Sequence, residues 1–418
     1  MYLMPNTNLI DTGQLRVSAV SAQGNTPINN ATIEISYTGE PDRVIETIQT
    51  DANGNSETID LSAPPLEYSL EPGDNQPYSE YNIRINAPGY NETLISGVQI
   101  LSGQLGLSNV RMTPTNNEQV PYNPWVIGAH TLWKLYPPKI AEPEIKDINE
   151  TGEIVLSRVV IPETIIVHDG PPTDTTAANY YVPYRDYIKN VASSEIYATW
   201  PESTIIANVL AIISFTLNRV YTEWYRNKGY NFTITSSTAY DHYFVYNRNI
   251  YENISRVVDT IFANYLSRPN VRQPILTQYC DGRRVSCPGW MTQWGSKSLG
   301  DQGYTPIEIL RYYYGSDMYI NTAEQISGIP SSWPGTNLTI GSTGAKVRQL
   351  QEQLDRISRS YPALPSVTAD GIYGEQTRRA VEEFQRVFGL PVTGIVDYPT
   401  WYRISGIYVA VTRIAELQ

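Results

Sequence analysis

Residues 182–219 read VPYRDYIKNVASSEIYATWPESTIIANVLAIISFTLNR, and this stretch decides how the rest of the chain is understood. Tyr187, Ile188 and Val191 recur at helical spacing, so the first half predicts a helix that opens near Pro183. Trp200-Pro201 interrupts it. The second half starts a run of about 25 helical residues, apolar through its middle, that closes on Arg226, Lys228 and Gly229. Glu195 stands between the two helices, next to Tyr197, Trp200 and Pro201. Apolar surroundings raise a carboxyl pKa, the adjustment a general acid needs to protonate a glycosidic oxygen near neutral pH. A lone glutamate is more often a solvated helix residue, so the sequence context makes Glu195 a candidate and no more.

The same unit, residues 161–328, continues with a β-leaning stretch rich in Tyr, Thr and Val, then a helix near NISRVVDTIFANYL. TPIEILRYYYG reads as a helix with Pro306 in its first turn and Gly315 past its end. Other chemistry is poorly represented. His130, His168 and His242 are not spaced as zinc ligands, and there is no Gly-x-Ser-x-Gly elbow or P-loop lysine. No metal and no cofactor are expected. Cys280 and Cys287, with Asp281, could hold a metal or oxidise, but two thiols in a loop read as reduced. Glu202 and Asp241 are the available second carboxylates, one a helix N-terminal charge and the other a loop residue.

On the N-terminal side, residues 1–113 read as all-β. Leu15, Val17 and Ala19 alternate, as do Ile33, Ile35 and Tyr37, with turn signals at Asp51-Ala-Asn-Gly54 and Ala87-Pro-Gly89. Residues 114–160 carry Pro114, Pro121, Pro124, Pro137, Pro138 and Pro143, then the charged EPEIKDINETGE. They read as an extended, exposed connector open to proteolysis. On the C-terminal side, residues 336–418 predict a helical unit. Val347, Leu350, Leu354 and Ile357 share one face, and Ala380, Val381, Phe384 and Val387 another.

Across 418 residues, 30 Lys+Arg face 42 Asp+Glu, a net charge of −12 that argues against nucleic acid as a partner. Charged residues are only 17%, and polarity comes partly from 32 Tyr against 6 Phe. Tyr suits wet grooves that hold sugars or peptides. The longest apolar stretch, residues 205–215, is broken by Asn208 and falls short of the roughly 18 residues a span requires. MYLMPNTNLIDTGQ has no basic region followed by an apolar one, so neither a membrane nor a standard secretory signal is expected.

Three resemblances sharpen these readings. The strand, Gln-Thr-Asp-x-x-Gly turn, Ile-x-Ala-Pro-Gly-Tyr order of residues 12–113 resembles the carboxypeptidase-regulatory-like (prealbumin-like) β-sandwich. The run L-x-x-G-x-x-G-x-x-V-x-x-L-Q from Leu338, D-G-x-Y-G from Asp370 and G-L-x-V-T-G-x-V-D-x-x-T-W ending at Trp401 resembles the peptidoglycan-binding 1 family. That likeness implies a three-helix domain docking on cell-wall glycan or stem peptide. Residues 182–219, together with MTQWGSKSLGDQGYTPIEILRYYYG, resemble the stage II sporulation protein D family of lytic transglycosylases.

The last resemblance implies that Glu195 is the catalytic acid/base. It also implies that His242 and Tyr279, with Trp200, Gln293 and Trp294, bind substrate. The family histidine before Ser-Gln-Trp-Gly is lost near Cys287, and the arginine of its Ala-Ala-Arg-Thr-Tyr run is Ile213. The complete order is that of a multidomain α+β protein: β-sandwich, connector, catalytic unit, wall-binding module. It resembles the clostridial spore cortex-lytic enzymes. It implies cortex peptidoglycan as substrate, storage in the spore as a zymogen, and activation in the connector by a subtilisin-like germination protease.

Overall fold

The computed structural model describes residues 11–115, 124–134, 137–146, 156, 158–323, 325–326, 334 and 336–412. Residues 1–10 of the segment tested for a signal, and residues 116–123, 135–136, 147–155 and 157 of the connector, lie outside the described residues.

The predicted alternation near the N-terminus becomes strand Asp11–Ser21, whose Leu15, Val17 and Ala19 are fully buried. It pairs antiparallel with Ile59–Ala63 and parallel with Leu105–Met112. A second sheet orders Val44–Gln49, Thr32–Tyr37, Ser79–Asn86 and Thr93–Ile100. Ile33, Ile35, Ile83 and Val98 from it meet Val17 and Val110 from the first in one apolar core. The Asp51 turn closes as its sequence requires. The Asp51 carboxylate accepts the Asn53 and Asn55 N–H groups, and Gly54 takes a positive φ of 76°. Both sheets are extended by strands from outside. Trp125–Val126 of the connector adds to one edge, and Ile250–Tyr251 of the middle unit adds to the other.

The middle unit is built on helices Tyr184–Glu195, Glu202–Tyr221, Glu252–Ile261, Gln293–Asp301 and Pro306–Tyr314. Glu202–Tyr221 is long and apolar enough to cross a membrane, but nearly all of it is buried as the central core helix. It stops eight residues before Gly229, where the sequence pattern ends. Glu223 takes a positive φ of 47°, and the chain turns so that Trp224 lies 5.2 Å from the Arg219 guanidinium. Glu252–Ile261 is also shorter than its apolar pattern. Residues 264–267 pair instead as a strand with Tyr319–Thr322. Pro306–Tyr314 follows its signals, with a Thr305/Glu308 capping box and Gly315 at φ 93°.

Helices Ala345–Ser358, Glu375–Val387 and Tyr398–Thr412 form the C-terminal unit. Two buried glutamines of the sequence motif staple its loops. The Gln351 amide donates to the Asp370 carboxylate, the Ile372 carbonyl and Thr377, and its oxygen accepts the Gly371 N–H. Gln385 repeats the arrangement with Thr393, Gly394 and Ile395. These motif positions therefore fix loops. The C-terminal core runs on into the middle unit, where Phe262 packs on Tyr398 and Tyr402 and Arg185 donates to the Tyr402 carbonyl at 2.9 Å.

The connector is where the structure departs most from its reading as an exposed spacer. Ile127, His130, Leu132, Lys139 and Lys146 are all buried. Its charges have complementary partners on the middle unit: Glu142 pairs with Arg219, and Glu144 pairs with Arg268. Pro124, Pro137, Pro138 and Pro143 are exposed, while Ile127, Leu132 and Lys139 between them are drawn into the protein.

Candidate active site

Glu195 is the last residue of helix Tyr184–Glu195 and is only 3% exposed. The C-terminal helix end carries partial negative charge and favours a neutral neighbour. Burial pushes the carboxyl above its ordinary range, while the Lys139 charge and hydrogen bonds from Tyr279 and Tyr243 pull it back part of the way. The Tyr243 N–H donates to Oε1 at 2.7 Å, and the Tyr279 hydroxyl donates to Oε2. Gln293 holds the backbone at the same point, its amide donating to the Glu195 carbonyl at 2.9 Å. A carboxyl fixed through both oxygens and its own backbone is pre-aimed, as acid/base transfer requires.

The pocket around it is lined by Thr131, Lys139, Glu195, Thr238, Tyr279 and Gln293, and is too small to admit a sugar ring. Three of the residues anticipated from sequence, Glu195, Tyr279 and Gln293, are therefore brought together. The other three stand behind the pocket. His242 is fully buried, bonded through Nδ1 to the Tyr187 hydroxyl at 3.0 Å and stacked on Tyr279, and burial holds it well below its usual pKa. It supports the Tyr279 ring as a neutral imidazole. Trp200 donates its indole N–H to the Ser69 carbonyl across the boundary with the N-terminal unit. Trp294 packs on Trp200 at 5.0 Å and on Tyr197 at 6.1 Å. Both indoles belong to the buried apolar core.

Asp241 is not a solvated loop carboxylate. It accepts from Arg219 Nε at 2.7 Å, the Tyr225 hydroxyl at 2.6 Å, and both the N–H and hydroxyl of Thr235. Glu202 is the helix N-terminal charge its position implied. Cys280 and Cys287 are paired in a disulfide, where reduced loop thiols were expected. The Asp281 carboxylate folds the intervening turn by accepting the N–H groups of Arg283, Arg284 and Val285. That brings the two Cα atoms to 5.7 Å, within bridging range. Gly282 permits the turn, with φ +77° and no space for a Cβ against Thr292. Among the described residues, no group of three or more His, Cys, Asp or Glu side chains gathers around a point.

Sequence reasoning missed Thr131, Thr238 and above all Lys139. The Lys139 ammonium donates to the Asp241 carbonyl and lies 4.9 Å from the Tyr279 ring centre. No periodicity marks a residue that reaches the site from a proline-rich segment. Its charge favours the ionised form of Glu195. Lys139→Met is therefore expected to raise the Glu195 pKa, so that the protonated, acid-competent form persists to higher pH. Carboxylate 13C NMR, with Glu195→Gln assigning the signal, checks the direction; a fall would contradict it.

The segment that carries Lys139 is itself pH-dependent. Burial opposes ionisation of Glu142, but Arg219 and Lys146 outweigh it and lower the carboxyl from 4.5 to about 2. A depressed carboxyl contributes stability that is complete above its ordinary value and lost as pH falls towards the folded one. Docking of residues 138–146 should thus lose about 3 kcal/mol between roughly pH 5 and pH 2. Hydrogen exchange of those amides should accelerate over that window, and constant protection would refute the assignment.

A family model described as a peptidoglycan binding domain matches residues 343–404, the three C-terminal helices. The chain carries a peptidoglycan-binding domain. Over 74 residues it is 39% identical to the zinc D-Ala-D-Ala carboxypeptidase of Streptomyces albus G, which covers 18% of this chain and 27% of that protein. The chain thus spans about a quarter of the curated relative's length. Among solved structures, the SleB N-terminal domain is 27% identical with 18% of this chain and 99% of that one covered, at a TM-score of 0.16. The Bacillus anthracis TIE protein is 21% identical, covering 25% and 18%, at a TM-score of 0.19. Peptidoglycan is the partner the C-terminal domain supports.

Proposed function

We propose that the chain is a peptidoglycan lytic transglycosylase of the spore cortex, stored as a zymogen and acting in germination. The observation that carries this reading is Glu195: one buried carboxyl, fixed through both oxygens, in a pocket whose described lining holds no second carboxylate. Glu195 donates its proton to the oxygen linking N-acetylmuramic acid to N-acetylglucosamine as the C1–O bond breaks through an oxocarbenium-like state. The resulting carboxylate then takes the proton of the muramoyl 6-hydroxyl, whose oxygen bonds to C1. A 1,6-anhydro end results, and the carboxyl is restored. No base is needed to activate water, because the nucleophile is part of the substrate. Asp241, committed to Arg219, Tyr225 and Thr235, is a poor candidate for a hydrolytic muramidase's second carboxylate.

The domain order, with a prealbumin-like β-sandwich and a stage II sporulation protein D-like catalytic unit, resembles that of the clostridial spore cortex-lytic enzyme SleC. Storage as a zymogen is supported by Thr131 and Lys139, which reach the pocket from the connector and leave no room for a sugar. A subtilisin-like germination protease would cut the connector, and the C-terminal domain would hold the enzyme on the cortex. Incubating decoated spores with uncut and connector-cut protein tests this. The cut form is expected to release muropeptides at least about 10-fold faster. Equal rates would overturn the zymogen assignment.

A further inference from the structure

Residues 140–146, IAEPEIK, follow directly on Lys139 of the Glu195 pocket and bend at 144–145, and the groove of middle-unit side chains that receives them grips them in two ways. Two buried glutamines hold the peptide backbone. Gln278 donates to the Ile140 carbonyl at 2.7 Å and accepts the Glu142 N–H at 2.9 Å. Gln273 accepts the Lys146 N–H at 2.7 Å and donates to the Lys146 carbonyl at 3.3 Å. The Leu276 N–H donates to the Glu144 carbonyl, and the Ile140 N–H donates to the Ala239 carbonyl. A side-chain amide that both donates to and accepts from a backbone recognises peptide irrespective of sequence.

Two arginines read the side chains. Arg219 offers Nη1 and Nη2 to the two Glu142 oxygens at 2.9 and 2.6 Å. Arg268 offers Nε and Nη2 to the two Glu144 oxygens at 2.7 and 2.8 Å. Each guanidinium is fixed from the other side by a carboxylate that does not belong to the connector: Asp241 on Arg219 Nε and Asp317 on Arg268 Nη1. Neither arginine would be left unpaired if residues 140–146 departed. Each would keep its orientation and present two N–H donors to the next carboxylate.

We propose that this groove is a subsite for the carboxylate-bearing stem peptide of the glycan substrate, with Arg219 and Arg268 as its carboxylate readers and Gln273 and Gln278 as its backbone clamps. Glu142 and Glu144 occupy it in the uncut chain. The inference rests on the glycan-cleaving reading above, because stem peptides hang from the muramoyl residue whose linkage Glu195 would cleave. It adds that specificity is set by peptide as well as sugar.

The test has a binding arm and a cleavage arm. In the first, the stem tetrapeptide L-Ala-D-Glu-diaminopimelate-D-Ala is titrated by calorimetry into the full chain and into Glu142→Gln/Glu144→Gln. The double variant is expected to bind at least about 10-fold more tightly, since its own segment holds the groove less well. Adding Arg268→Gln to it should remove that gain. Arg268→Lys, which keeps the charge and loses the fork, should leave only part of it. Unchanged circular dichroism separates these losses from misfolding. Equal binding by parent and double variant, or binding indifferent to Arg268→Gln, overturns the proposal.

In the second arm, connector-cut protein is given glycan strands with and without stems. Stripped strands should show at least about a 10-fold lower kcat/KM, and equal rates overturn the subsite. If neither strand is cleaved but Arg268-dependent peptide binding persists, the catalytic reading fails and the groove stands. If both are cleaved equally, the catalytic reading stands and the groove falls.

Discussion

Glu195→Gln is expected to lower glycan cleavage by about 1000-fold, with the thermal midpoint and wall binding unchanged. The substitution is nearly isosteric. Its amide oxygen can still accept the Tyr243 N–H, and the Tyr279 hydroxyl can rotate to accept the new N–H that replaces Oε2. What is lost is the titratable proton. The wall-binding helices lie elsewhere in the chain, so affinity for insoluble peptidoglycan should be retained. Muropeptide release measured beside a pull-down on the same wall preparation separates the two properties. Cleavage at the parental rate would show that Glu195 is not the acid and would favour a non-enzymatic wall-binding protein.

The second large effect is on stability. Asp241→Asn removes the carboxylate that neutralises Arg219, a guanidinium with no exposed side-chain surface. Burial alone would lower the Arg219 pKa, but Asp241 and Glu142 outweigh it and keep the group charged. Removing Asp241 leaves the buried guanidinium with Glu142 alone, at a cost of about 3 kcal/mol, the lower end for breaking a buried ion pair. Whichever oxygen becomes the amide nitrogen, it meets a group that cannot accept: Arg219 Nε–H at Oδ1 or the Thr235 N–H at Oδ2. The melting temperature should fall by about 10 °C for a unit of this size. A shift under about 2 °C would mean that Asp241 is the solvated loop residue suggested by its sequence context.

Some of this architecture is legible in the sequence, and the residues show why. Leu15, Val17 and Ala19 are read correctly because burial on one sheet face imposes a period of two. Val347, Leu350, Leu354 and Ile357 are read correctly because a helix buries one stripe, and all four are fully buried. The buried setting of Glu195 was legible because the aromatic residues that shape its surroundings are close to it in sequence. Tyr197 and Trp200 are markers of an apolar environment even though neither lines the pocket.

What escaped the sequence depends on partners far along the chain. The Lys139 contact to Asp241 spans 102 residues, Glu142 to Arg219 spans 77, and Glu144 to Arg268 spans 124. Composition recorded these charges only as a connector's polarity. The Cys280–Cys287 bridge was obscured for a related reason. Spacing shows that two thiols are near each other, while the Asp281 hydrogen bonds that fold the turn are a property of the structure. Helix ends were missed where tertiary contacts overrode the apolar pattern, as at Trp224 and at residues 264–267.

The central claim is that a single buried carboxyl drives an intramolecular attack by the substrate's own hydroxyl. Mass spectrometry of the muropeptides released by connector-cut protein tests it most directly. The predicted products end in 1,6-anhydro-muramic acid, lighter by one water than reducing ends. Reducing muramic acid ends throughout would contradict the account and assign the chemistry to water and a second base.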